Sequence, residues 1–114
     1  MSKYLFTDEM AEISGFGGGY EAECRAAIVR GLEWLDANPE ADPQFKGYKG
    51  VYGIINEENN DAKAMSDAIA PKGSDMTGAM HQAAVEHCLW IKQNGWEKYV
   101  QVKTDQKKEE ETAV

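Results

Sequence analysis

The chain has 114 residues, 42% of them hydrophobic and 28% charged, with a formal net charge of −8. That length suits a single domain with one modest core, and the charge disfavours general binding to phosphate backbones. No apolar run approaches the roughly 20 residues needed to span a bilayer, and the opening "MSKYLFTDEM" lacks the long apolar segment of a secretory signal. A cytoplasmic protein with no membrane and no nucleic-acid partner is therefore expected. Two cysteines, Cys24 and Cys88, are too few for a disulfide scaffold, and each falls on an apolar helix face. They read as reduced, buried thiols.

In chain order, Thr7 is placed to cap a short turn, and a glycine-rich loop follows. "ISGFGGGYE" carries Gly15, Gly17, Gly18 and Gly19 directly before a periodic stretch. The first main helix is expected from Tyr20 to Ala37, because Cys24, Ile28, Gly31, Leu32 and Leu35 form one stripe at 3.6 residues per turn. Gly31 lies inside that stripe, where glycine costs about 1 kcal/mol relative to Ala; close approach by another helix is the expected compensation. Pro39 and Pro43 end the helix.

"KGYKGVYGII" spaces Gly47, Gly50 and Gly53 three apart among aromatics and reads as a loop covering one end of the core. A second helix is expected from Glu57 to Ala70, capped by Asn56, with Ala62, Met65 and Ile69 as its apolar stripe. A third is expected from Asp75 to Gln93, capped by Ser74. Its broad face holds Met76, Met80, Ala83, Ala84, His87, Cys88 and Ile91, and Asn94-Gly95 stops it. "WEKYVQV" spaces Trp96, Tyr99 and Val100 as a short fourth helix. From Lys103 to Val114 apolar spacing is lost, which predicts a charged, disordered tail. The expected architecture is a small all-α bundle over residues 1–102, with three main helices and a short C-terminal one. Three short helices bury limited area, so association into a homo-oligomer would add burial.

Two helix starts draw attention as ligand sites. Gly17, Gly18, Gly19 and Tyr20 combine backbone freedom with the free N–H donors and partial positive charge of a helix beginning. Ser74, Thr77, Gly78 and His81 offer similar features on the third helix. If both face one cleft, their amides converge on a small anionic ligand, and Tyr20, Tyr48 or Tyr52 could stack on a nucleotide-like ring. The loop is neither a P-loop nor a dinucleotide fingerprint, since Tyr20-Glu21 follows Gly19. Ordinary capping and a plain connector are the bland alternatives.

Catalytic constellations fail on geometry. His81 and His87 lie about 120° apart around one helix and cannot chelate one metal from it. His87 and Cys88 point about 100° apart, so adjacency makes no dyad. "NEENNDA" lacks the spacing of a calcium loop. His87 reads as a satisfied core histidine, and Trp34 and Trp90 as residues of the core margin. The expected function is a non-enzymatic binding module for a small polar or anionic ligand, with no cofactor and no metal. The alternative is an acidic interaction module that inhibits or adapts a basic protein surface.

Overall fold

The computed structural model describes residues 3–7, 21–46, 55–74 and 76–112. Four helices and no strand occur among them: α1 (Glu21–Ala37), α2 (Asn60–Ile69), α3 (Gly78–Asn94) and α4 (Trp96–Thr112). The all-α expectation is met.

The stripe on α1 does what its spacing implies. Cys24, Ala27, Ile28 and Leu32 are buried against Met65 and Ile69 of α2 and against Met80, Ala84, Val85 and Cys88 of α3. α1, α2 and α3 each touch the other two, while α4 packs on α3. Gly31 sits where the three meet. A Cβ built there would lie 2.6 Å from Cys88 Sγ and 2.9 Å from Ile69 Cγ1, so its missing side chain sets how closely α2 and α3 approach α1.

Side chains tie the connections down. Asp61 Oδ2 accepts the Asp42 amide at 3.0 Å, and Asn59 Nδ2 donates to the Asp42 carbonyl at 3.3 Å. Arg30 of α1 donates from Nε and Nη2 to the Ile69 carbonyl at 3.2 and 2.8 Å, covering an acceptor that the end of α2 leaves open. The segment 3–7 is not helical. It is anchored by the Tyr4 hydroxyl, which donates to Asp36 at 2.5 Å, and by edge contacts of Tyr4 and Phe6 with Trp96.

Several boundaries differ from the sequence expectation. α2 starts at Asn60 because Asn59 is its cap, accepting the Ala62 amide at 2.8 Å. Asn56 instead accepts the Glu58 amide in the preceding turn. α3 starts at Gly78, not Asp75, because Thr77 is the cap and accepts the Met80 amide at 3.2 Å. Ser74 belongs to a turn, its amide bonded to the Pro71 carbonyl. The stop at Asn94-Gly95 holds: Gly95 has φ +96° and donates to the Ile91 carbonyl at 2.7 Å. That φ favours glycine, and the single residue redirects the chain into α4.

The largest departure is α4 itself. It has 17 residues, as many as α1 and α3, and includes 103–112, the stretch whose spacing predicted a frayed tail. Lys103 is buried, and Gln101 donates to Asp105 one turn on at 3.0 Å. A lysine stem covers apolar surface as a hydrophobe would, a role that a count of apolar residues passes over. No helix among the described residues is long and apolar enough to cross a membrane.

Candidate functional site

α3 and α4 leave a cleft of about 340 Å³ between them. From α3 it takes Glu86, His87 and Trp90; from α4, Tyr99, Val102, Lys103 and Gln106. The spacing explains the shared face, since residues three, four and seven apart on a helix lie along one side. The Gly95 turn then sets the two sides against each other.

Inside the cleft the polar groups are ordered by one short contact. His87 Nδ1 lies 2.7 Å from the Tyr99 hydroxyl, and the rings meet edge to face with centroids 5.6 Å apart. Burial is the main cause that lowers the His87 pKa to about 4, with the Lys103 charge lowering it further and Glu86 opposing. Burial likewise raises the Tyr99 pKa, so the phenol keeps its proton. One hydrogen therefore sits between a neutral imidazole and a neutral phenol. The Tyr99 hydroxyl has no acceptor other than Nδ1 among the described residues. The imidazole tautomer sets which of the two donates. Lys103 Nζ stands 5.6 Å from the Tyr99 ring centroid. Glu86 is engaged along its own helix, accepting from Gln82 at 3.0 Å. Trp90, 37% exposed, meets Tyr99 at 6.0 Å and forms the open wall. The other aromatics are spent on each other: Trp96 stacks on Tyr99 at 5.5 Å and receives Tyr4 and Phe6 edge-on.

The residues expected to bind a ligand are distributed differently. Gly17, Gly18, Gly19 and Tyr20 lie outside the described residues, as do Tyr48 and Tyr52. Ser74 is exposed in its turn, and Gly78 is buried. Thr77 serves the helix: its hydroxyl takes the Met80 amide and its carbonyl takes the His81 amide at 3.0 Å. His81 turns toward α2, where Nε2 meets Ser66 Oγ at 2.7 Å. Burial lowers its pKa, with the Ser66 contact opposing. By distance alone Ser66 and His81 could be a nucleophile and its base, yet both are buried and neither lines the cleft. They are a polar pair satisfied inside the α2–α3 contact.

His87 also changes place. The expectation put it on the broad apolar face of α3 with Ala84 and Cys88; those two are buried, while His87 lies half-buried on the side facing α4. Its reading as a satisfied histidine holds, with Tyr99 as the partner. Cys24 and Cys88 are buried thiols, as expected. Burial pushes the Cys88 thiol up to about 12, and its Sγ donates to the Ile28 carbonyl at 3.3 Å. No group of three or more metal-ligating side chains gathers among the described residues.

Sequence reasoning missed the cleft because half of its α4 wall, Lys103 and Gln106, fell in the expected tail. The signal was present: Tyr99, Val102, Lys103 and Gln106 repeat at three and four along one helix face. No family model, curated protein or solved structure matches the chain.

Proposed function

We propose that the protein is a non-enzymatic binding module that takes a small polar or anionic ligand in the α3–α4 cleft. The observation that carries this reading is the His87–Tyr99 contact at 2.7 Å. It fixes the ring and commits Nδ1, and so leaves Nε2 as the second polar atom of a histidine that lines the recess. Beside it stand a buried ammonium and an exposed indole. Concave sites of about 300 to 1,000 Å³ with a few convergent polar groups are the usual small-molecule sites, and this cleft sits at the small end of that range.

The glycine-bearing helix starts supply no comparable support. At α3 the Met80 and His81 amides are already paired. Catalysis gains no support from the cleft either, since at neutral pH it presents a neutral imidazole and a protonated phenol without an activated nucleophile.

The test is ligand-observed and protein-observed NMR on the full chain against a panel of small polar metabolites. Resonances of Trp90, Val102 and Lys103 should shift together and saturate. A panel that leaves all three unmoved at millimolar concentration overturns the reading. The second reading, an acidic module for a basic protein, draws on the net charge of −8 and on exposed Leu5 and Trp90. Salt-sensitive binding of a basic partner that leaves the cleft resonances unmoved would favour it.

A further inference from the structure

We propose that residues 3–7 form a strap that sets the width of the α3–α4 cleft, tying α4 back to α1 through Tyr4 and Phe6. As the regulation of a binding site this rests on the reading above, while the coupling itself can be measured with no ligand present.

The topology creates the need for such a tie. Among the four helices α4 packs on α3 alone, whereas α1, α2 and α3 close on one another. A single residue, Gly95 with φ +96°, stands between the end of α3 and the start of α4. A helix joined through one turn and supported along one side can swing about that turn, because hinges are a few residues at the ends of elements.

Segment 3–7 supplies the missing support. Its side chains alternate as in an extended chain: Tyr4 is 7% exposed, Leu5 is 63% exposed and Phe6 packs inward again. Each inward side chain touches both helices. The Tyr4 hydroxyl donates to Asp36 in the last turn of α1, and the Tyr4 ring stands edge-on to Trp96 of α4 at 5.2 Å. Phe6 meets the Arg25 guanidinium of α1 at 5.8 Å, and on α4 it meets Trp96 at 5.5 Å and Tyr99 at 6.2 Å.

Tyr99 carries the effect into the cleft. Trp96 stacks on it at 5.5 Å, its hydroxyl lies 2.7 Å from His87 Nδ1, and Trp90 meets its ring at 6.0 Å. Phe6 therefore presses on the same ring that walls the recess, and is a positioning residue for it. With the strap in place the phenol is held on His87 and the imidazole stays shielded. Without it α4 turns about Gly95, the His87–Tyr99 contact opens, and water reaches the imidazole. Binding linkage is reciprocal, so whatever holds the cleft at its present width also holds the strap down.

The test follows the imidazoles of the full, ligand-free chain by NMR from about pH 7.5 to about 5.5, where an ordinary histidine titrates. His87 faces Tyr99 and Lys103 on α4 and has Glu86 beside it on α3; burial lowers its pKa to about 4, so its ring stays neutral across this range. In Phe6→Ala its midpoint should return toward 6.5, bringing protonation into the range, and the Trp90 and Val102 resonances should move. His81 is the control: it lies against Ser66 on the α2 side of the same helix and should keep the curve of the unaltered chain. Tyr4→Phe keeps the ring and loses only the bond to Asp36, so it should shift His87 the same way by less, and it decides the matter alone if Phe6→Ala does not fold. A His87 that stays neutral in both variants, or that moves together with His81, overturns the strap. A cleft that ignores the metabolite panel while Phe6→Ala releases His87 leaves the strap standing and removes the binding reading.

Discussion

Replacing Gly31 by alanine isolates the contact on which the three-helix body depends. Two effects of known size oppose each other. Alanine in a helix interior is favoured over glycine by about 1 kcal/mol. Against that, the new methyl would stand 2.6 Å from Cys88 Sγ, 2.9 Å from Ile69 Cγ1 and 3.2 Å from Ile69 Cδ1. Cys88 and Ile69 are fully buried, on α3 and α2 respectively, so neither has open space to move into. Inserting a methyl into a close-packed core costs about 1–3 kcal/mol, and two immobile neighbours place this case in the upper half. The net expectation is a loss of about 1–2 kcal/mol. Urea unfolding followed by circular dichroism measures it as a lower midpoint at unchanged slope. Cys88→Ala removes the nearer of the two neighbours, so in a double-mutant cycle the pair should couple favourably by about 1 kcal/mol. If Gly31→Ala were to raise stability by the bare helix preference, with no coupling to Cys88, the close approach assigned to Gly31 would be refuted.

Arg30→Met removes both donors from the Ile69 carbonyl. It should cost about 1–2 kcal/mol and speed amide exchange in the last turn of α2; unchanged exchange there would show that the guanidinium does not secure that end. A base whose folded pKa lies below its unfolded value stabilises the fold above the unfolded value, and that contribution is lost as pH falls toward the folded one. For His87 the window runs from 6.5 down to about 4, with a slope of at most about 1.4 kcal/mol per pH unit. His81 contributes in the same direction. Unfolding curves from pH 7 to 4 for the unaltered chain and His87→Gln should therefore diverge, the variant losing less stability on acidification, and parallel curves would contradict a buried neutral His87. Ending the chain after Val102 removes Lys103 and the last turns of α4. It should lower ellipticity at 222 nm and the urea midpoint together, whereas a tail without structure would leave both unchanged.

How far the sequence could be read varies element by element. Cys24, Ile28 and Leu32 on the first helix, and Ala62, Met65 and Ile69 on the second, are buried as their spacing implied, because a helix confined to one apolar stripe has one way to face a core. Gly31 was legible as a point of close approach for the same reason. Cap positions slipped by three residues at both α2 and α3. Asn56 and Ser74 have the right chemistry, but so do Asn59 and Thr77, and the side chain that caps depends on where the preceding turn delivers the chain. On the third helix Met80, Ala84, Cys88 and Ile91 are buried as expected, but the single face was too simple a description. That helix serves α1 and α2 on one side and α4 on another, so His81, Val85 and His87 all find partners and no single stripe describes it.

Periodicity and punctuation in the sequence were enough for an all-helical chain, its first two apolar faces and the break at Gly95, because those follow from local geometry and from a φ that favours glycine. Tertiary structure alone decided that Lys103 counts as core, that His81 pairs with Ser66 and His87 with Tyr99, and that a recess opens between α3 and α4. A long polar side chain takes its role from the surface it lands on, and that surface comes from another helix.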